Sequence, residues 1–423
     1  MKSPIAGVAV LLAACLSTAA CGAQGGGESD SGTLRISWFG NDVRNAAIQK
    51  AIKEFEKQNS HIKVKTEYTP FDSYADKLAT QFAANDAPDM VMLDETRLGE
   101  YADRGALLDL GDSIDTSKFD ANAASAGETA DGAFGITAGL NAMAILANPE
   151  LFKKAGVELP DDSQWTWDDY SKVAAEVTEN SAKGVYGSAA PNFGPGLELW
   201  LRQQGKSVYT NDGKLGYTAA DAAPYFTYLK SLGADKAIPP ASVIVEGQQG
   251  LEQSGSATNK AALGWFWNSA LGPVNTASGQ EMTVLRPPSE AGDASSAGLF
   301  YKADSLWAVN ARSEKAAAAK KLIDFLVNSP DAGKHLLTNV GVPANSEVRA
   351  ALEGKLDPSS EASSAYIDKI SSELGPKRPT IPAGGGVFDA TIGRVALDVL
   401  FGKQTPEEAA EKLVSEMSTA IKG

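Results

Sequence analysis

Leu34-Arg35-Ile36-Ser37-Trp38-Phe39-Gly40-Asn41-Asp42 and, further along, Ala87-Pro88-Asp89-Met90-Val91-Met92-Leu93-Asp94-Glu95 are the two runs that decide the fold. In the first, Leu34, Ile36 and Trp38 alternate with polar residues, which is the period of a β-strand. The run stops at Phe39-Gly40-Asn41-Asp42. A helix is predicted from about Asn45 to Gln58, with Ile48, Ile52 and Phe55 on one face. Ile62 to Tyr68 reads as a second strand, and Asp72 is placed to cap a helix carrying Leu78 and Phe82. Ala87-Pro88-Asp89 then turns into the apolar strand Met90–Leu93, which ends at Asp94-Glu95. Strands alternating with helices predict an α/β fold with a mainly parallel sheet. Ligands of such sheets bind beyond the carboxyl ends of the strands. Phe39–Asp42 and Asp94–Arg97 stand at two such ends.

The middle of the chain has a different texture. Residues 148 to 260 read as mostly helical with Pro/Gly turns, including Asp168–Glu179 behind Trp165-Thr166-Trp167, and Ala219–Leu232. Leu263–Trp267, Met282–Leu285 and Leu306–Asn310 read as strands. Helices are predicted at Ser313–Val327, Val387–Leu400 and Pro406–Ile421.

The N-terminus is an export signal. Lys2 precedes the apolar run Ile5–Leu12, which is far shorter than the ~20 residues of a membrane-spanning helix. The chain's two cysteines, Cys15 and Cys21, both follow small residues. The pattern is that of a lipoprotein signal, with residues 1–20 removed and Cys21 acylated; Cys15 is the alternative. Residues 21–32 form a Gly/Ser-rich spacer, flexible enough to let a body reorient above a membrane. Roughly 400 residues remain, more than one compact core takes, so two domains are expected. Without cysteines beyond the anchor, the body has no disulfide, cysteine metal site or thiol nucleophile. The balance of 53 acidic to 38 basic residues, net −15, repels phosphate backbones and argues against nucleic-acid binding.

Several segments together resemble family 1 extracellular solute-binding proteins of bacterial ABC importers, the maltose-binding-protein type. They include the opening strand and helix Leu34–Asn59 and the strand entry Ala87-Pro88-Asp89-Met90-Val91. The run Leu98-Gly99-Glu100-Tyr101-Ala102-Asp103-Arg104-Gly105-Ala106-Leu107-Leu108-Asp109-Leu110 belongs with them. So do Phe134-Gly135-Ile136 with Asn148–Val157, Trp165-Thr166-Trp167-Asp168-Asp169, and Lys260-Ala261-Ala262-Leu263 leading to Trp267. The resemblance implies two α/β lobes joined by hinge strands: 33–145 plus 306–350, and 146–305 plus 351–423. It implies a ligand cleft between them, a monomeric receptor on the outer face of the cytoplasmic membrane, and an ABC permease pair as partner. The sequence holds no H-E-x-x-H motif and no EF-hand loop, so no metal is expected, and no cofactor either.

A sugar presents apolar C–H faces and a hydroxyl rim, so its site needs aromatic rings together with carboxylates and amides. The candidates at the expected cleft are Trp38, Asn41, Asp42, Phe71, Asp94, Glu95, Asn141, Asn192, Phe193, Trp265, Trp267, Tyr301 and Phe388. Trp267 leads this set. Trp38 equally suits a core, and Asp94 and Glu95 equally suit a helix cap. Trp165, Trp167 and Trp200 read as packing residues. Arg44 and Lys302 read as solvated charges; either one facing the cleft points to an acidic sugar such as a uronic-acid oligosaccharide. Motifs of chemistry fail. Trp200 stands where a P-loop ending in Gly205-Lys206-Ser207 needs glycine. There is no G-x-S-x-G. The adjacent pairs Asp161-Asp162 and Asp168-Asp169 are explained by capping. A binding protein for a carbohydrate, most simply an oligosaccharide, is therefore expected rather than an enzyme. The alternatives are the same scaffold with a non-sugar solute, and an exported carbohydrate-active enzyme.

Overall fold

The computed structural model describes residues 32–422. The expected signal peptide, both cysteines and the spacer before Gly32 lie outside the described residues. Ten strands occur among those described: β1 (Gly32–Gly40), β2 (Ile62–Pro70), β3 (Met90–Leu93), β4 (Glu128–Thr129), β5 (Gly132–Ala133), β6 (Ile136–Ala147), β7 (Tyr186–Ser188), β8 (Ala261–Trp267), β9 (Thr283–Leu285) and β10 (Tyr301–Val309). Eight of them form one sheet in the order β2-β1-β3-β10-β6-β8-β7, with β9 also on β6; β4 and β5 form a separate hairpin.

The alternating run identified above becomes β1, parallel to both β2 and β3. Leu34, Ile36 and Trp38 are fully buried on one face, against Ile48, Ile52 and Phe55 of the helix Asp42–Gln58 in the same core. Asn41 caps that helix, accepting from the Arg44 N–H at 2.9 Å, so the helix begins three residues earlier than its apolar stripe suggested. The next helix starts at Phe71 with Pro70 as its cap residue. The expectation that Asp72 caps it is therefore corrected: Pro70 ends β2 and turns the chain directly.

The mainly parallel sheet is also corrected. β1–β2, β1–β3 and β7–β8 are parallel, whereas β3–β10, β10–β6, β6–β8 and β6–β9 are antiparallel. The cause is β6, whose twelve residues are all buried. Its first half pairs with β10 as far as Ala142, and its second half pairs with β8 from Met143 onward. One strand thus carries the chain from one half-sheet into the other, and β10 returns beside it. β6 carries no side chain at position 139 because other backbone crosses it closely there. A Cβ on Gly139 would lie 2.3 Å from the Val340 carbonyl oxygen, so no larger residue fits.

Around the second half-sheet pack the helices Trp167–Glu179, Gly194–Gln203, Ala219–Ala234, Phe388–Leu400 and Pro406–Lys422. The first of these opens with a capping box: Thr166 accepts from the Asp169 N–H at 3.1 Å, and Asp169 accepts from the Thr166 N–H at 3.0 Å. Among the described residues, no helix is long and apolar enough to cross a membrane.

Candidate ligand cleft

The carboxyl end of β3, the carboxyl end of β8 and the segment 378–389 meet around a cavity of about 340 Å³. This lies within the ~300–1,000 Å³ usual for small-molecule sites. Phe71 and the turn Asp94–Arg97 form one wall. Gly194, Glu198, Tyr209, Trp267, Phe388 and Asp389 form the other, with Lys302 of β10 between them.

Asp94, Glu95, Arg97, Glu198 and Arg378 are held in ion pairs. Asp94 caps the helix Glu95–Asp103, accepting from the Arg97 N–H at 3.0 Å, and its second oxygen pairs with the Arg97 guanidinium. Glu95 accepts from the Ala303 N–H at 2.7 Å and pairs with Arg378. Arg378 also pairs with Glu198 at 3.1 Å and lies 4.4 Å from the Phe300 ring centroid. Burial alone would lower the pKa of this guanidinium, but the two carboxylates outweigh burial and hold it above its ordinary value. The result is a cation clamped between the end of β3 and the helix Gly194–Gln203, which belong to opposite half-sheets.

The remaining groups are less committed. The Lys302 ammonium sits 5.3 Å from the Trp267 ring centroid, and Phe300 meets that ring edge-on at 6.1 Å. Asp389 accepts from the Gly194 N–H at 2.9 Å. A Cβ at Gly194 would lie 2.1 Å from that carboxylate oxygen, so a larger residue there would push the Asp389 carboxyl aside. Asp389 is exposed as a residue. Desolvation raises its pKa against the opposing pull of Gly194, Lys302 and Arg378. Tyr209 donates to the Gly385 carbonyl at 2.7 Å and meets Phe388 edge-on at 6.3 Å. Among the described residues, no group of His, Cys, Asp and Glu is placed to hold a metal ion.

The sequence profile of the family described as "Bacterial extracellular solute-binding protein" matches residues 40–332, more than half of the chain. The chain belongs to that family. Three solved structures resemble this solute-binding protein along nearly its whole length. A family 1 extracellular solute-binding protein of Alicyclobacillus acidocaldarius is 24% identical, with a TM-score of 0.77 over 93% of this chain and 100% of that one. An oligogalacturonide-binding protein of Yersinia enterocolitica is 20% identical, with a TM-score of 0.76 over 92% and 99%. The GacH receptor of Streptomyces glaucescens, solved unliganded and with acarbose, is 21% identical, with a TM-score of 0.73 over 93% and 99%. These likenesses show the two-lobed α/β fold. A curated relative, an uncharacterized lipoprotein of Streptomyces antibioticus, is 26% identical over 228 residues, which are 51% of this chain and 49% of that protein. The chain thus spans about half the length of that relative.

Of the sequence candidates, Phe71, Asp94, Glu95, Trp267 and Phe388 come together in the cavity wall of this solute-binding protein. The others stand elsewhere. Trp38 is fully buried in the core beneath β1. Asn41 is spent on capping, and Asp42 lies in the first helical turn with an oxygen 3.4 Å from the Tyr68 hydroxyl. Asn141 is buried beside the crossing strands, donating to Asp304 at 3.3 Å, while Asp304 pairs with Arg44 at 2.8 Å. Tyr301 is buried with its hydroxyl on the Ile367 carbonyl at 3.0 Å, and it borders only a small void of about 40 Å³ beside Glu95. Trp265 stacks on Trp167, 5.6 Å between centroids and 9° between planes, and donates to Tyr170 at 2.7 Å. It borders a different cavity, together with Asn192 and Phe193.

Glu198, Tyr209, Arg378 and Asp389 of the wall were not singled out by sequence, and Arg97 only as the end of the turn Asp94–Arg97. Arg378 sits between Pro376 and Pro379, in a stretch with no period to read. Glu198 follows Gly194-Pro195-Gly196 by half a turn, and that helix start was a legible signal. Lys302, read as a solvated charge, is instead part of the wall.

Proposed function

We propose that this solute-binding protein is the receptor component of an ABC importer, that it captures an oligosaccharide in the cleft described above, and that it does no chemistry on it. The observation that carries this reading is the composition of the cavity wall: separated aromatic rings interleaved with charged groups at the carboxyl ends of two strands. The rings suit C–H faces, and the charged hydrogen bonds suit a hydroxyl rim. Four carboxyls (Asp94, Glu95, Glu198, Asp389) face three cations (Arg97, Lys302, Arg378), which favours an uncharged ligand. Micromolar affinity requires about −8 kcal/mol, which a few such contacts supply. Asp94, Glu95 and Glu198 are engaged in ion pairs and Asp389 in a hydrogen bond from the Gly194 N–H, which supports binding over glycosidic-bond cleavage.

In this reading the lobes are 33–145 plus 306–350 and 146–305 plus 351–423. The change of partner along β6 between Ala142 and Met143 supports a crossing at that point. Hinge closure brings the two walls together on the ligand. The receptor acts as a monomer tethered through acylated Cys21, and delivers its cargo to a membrane permease pair; the lipoprotein relative supports the tether.

A second reading has one specific observation in its favour. The Lys302 ammonium rests on Trp267 rather than in an ion pair, and so is available to a uronic-acid oligosaccharide. A thermal-shift screen separates the readings, because a ligand that binds only the folded state raises the melting temperature. Neutral oligosaccharides are expected to stabilise the protein. Stabilisation by oligogalacturonides alone would select the acidic reading. Stabilisation by a polyamine or a phosphate with no sugar active would overturn both.

A further inference from the structure

A second cavity, of about 470 Å³, lies among residues 186–266. Tyr186, Phe193, Trp265 and Phe266 line its sheet side, and the excursion 239–258 covers it. Trp265 is only 7% exposed, fixed by its stack on Trp167 and its hydrogen bond to Tyr170, so Tyr186, Phe193 and Phe266 are the rings left partly open to the cavity. An open trough along the helix Phe388–Leu400 lies between this cavity and the cleft. The trough shares Asp389 with the cleft, and Asn192, Phe193 and Gln248 with the far cavity. The trough thus borders both spaces.

We propose that the far cavity is a subsite for the outer rings of a long oligosaccharide whose leading rings occupy the cleft. This inference rests on the carbohydrate reading above. Its occupant follows from the walls: aromatic surfaces for ring faces, and the amide side chains of Asn192, Gln248 and Gln253 for hydroxyls. Continuity with the cleft makes the same molecule the occupant of both. All residues lining the far cavity fall between 186 and 266, so none comes from the β1–β3 half-sheet. The subsite therefore adds affinity for long chains without taking part in closure.

The test measures the affinity of the protein for neutral glucan and xylan oligomers, from disaccharide to octasaccharide, before and after two substitutions. Ala190→Phe fills the far cavity. Gln248→Ala trims an exposed side chain at its seam with the trough, where misfolding is not expected. The longest oligomers should bind about tenfold more tightly than the disaccharide of the same linkage, a gain worth about 1.4 kcal/mol. Ala190→Phe should abolish that gain and leave disaccharide affinity unchanged, with Gln248→Ala reducing it in part. Equal affinity for short and long oligomers, or a gain that survives both substitutions, would overturn the subsite and leave the cleft reading standing. Failure of every oligomer, the disaccharides included, would overturn the neutral-oligosaccharide reading and the subsite with it.

Discussion

Two aromatic regions of this protein are made of similar side chains and do opposite things. Behind β8, Trp165, Trp167, Tyr170, Trp200, Tyr225, Tyr228 and Trp265 contact one another at centroid distances of 5.3–5.7 Å. Their polar atoms are largely satisfied within the protein: Trp167 donates to Gln203, Trp265 to Tyr170, and Tyr228 to the Trp167 carbonyl. In the cleft, Phe71, Tyr209, Trp267 and Phe388 are spread around a void and separated by charged groups. Trp265 and Trp267 lie two residues apart on one strand and belong to different regions. Aromatic content therefore does not mark the site. The site is marked by rings that other rings leave uncovered, at a strand's carboxyl end.

Substitutions can break this contrast, and the largest effect is expected in the packed cluster. Trp265→Ala removes a stacked and hydrogen-bonded ring, and should lower unfolding stability by about 3–5 kcal/mol in denaturant titration. Arg378→Ala should rank next. It strands Glu95 and Glu198, whose side chains are only 13% and 12% exposed, at a cost of about 3 kcal/mol. Adding Glu95→Gln and Glu198→Gln to that variant should recover much of the loss; no recovery would show that the clamp is not electrostatic.

The smallest effect concerns the support beneath the packed cluster. Asp169 closes the capping box of the helix that carries Trp167, and its hydrogen bonds from Thr166 hold its carboxyl below the ordinary aspartate range. A carboxyl with a lowered folded pKa contributes stability that is fully present above its unfolded pKa and lost as pH falls through the folded one. Asp169→Asn should therefore cost about 1 kcal/mol at neutral pH. Its difference from wild type should shrink as the pH drops below the ordinary aspartate range. A pH-independent difference in melting temperature would assign the effect to packing instead.

Much of the frame was legible because its elements obey one period. Leu34, Ile36 and Trp38 announced β1, and Met90–Leu93 announced β3 as an uninterrupted apolar run. Asp94 and Glu95 could be placed at the site because they stop that run. The strand that organises the molecule, β6, was not legible. Ala138, Gly139, Ala142, Ala144 and Ala147 have low strand propensity, and burial on both faces removes alternation. It carries no side chain at position 139 because backbone crosses it there, a tertiary fact. The cleft divided in the same way. Trp267 stood out at a strand end, whereas Tyr209 and Arg378 come from aperiodic segments that only the fold brings near it. Trp38 and Asn141 had suitable chemistry, but the core and the crossing strands claim them.

The most direct test is at Trp267, the tryptophan that ends β8. Calorimetric titration should use the sugar that gives the largest thermal shift, on the wild type and on Trp267→Ala, with the melting temperature of the free protein recorded alongside. The account predicts that Trp267→Ala weakens binding by at least about tenfold, a loss of 1.4 kcal/mol or more, while the free protein keeps a cooperative transition close to that of the wild type. Unchanged affinity in Trp267→Ala would contradict it and remove the cleft at the end of β8 as the ligand site.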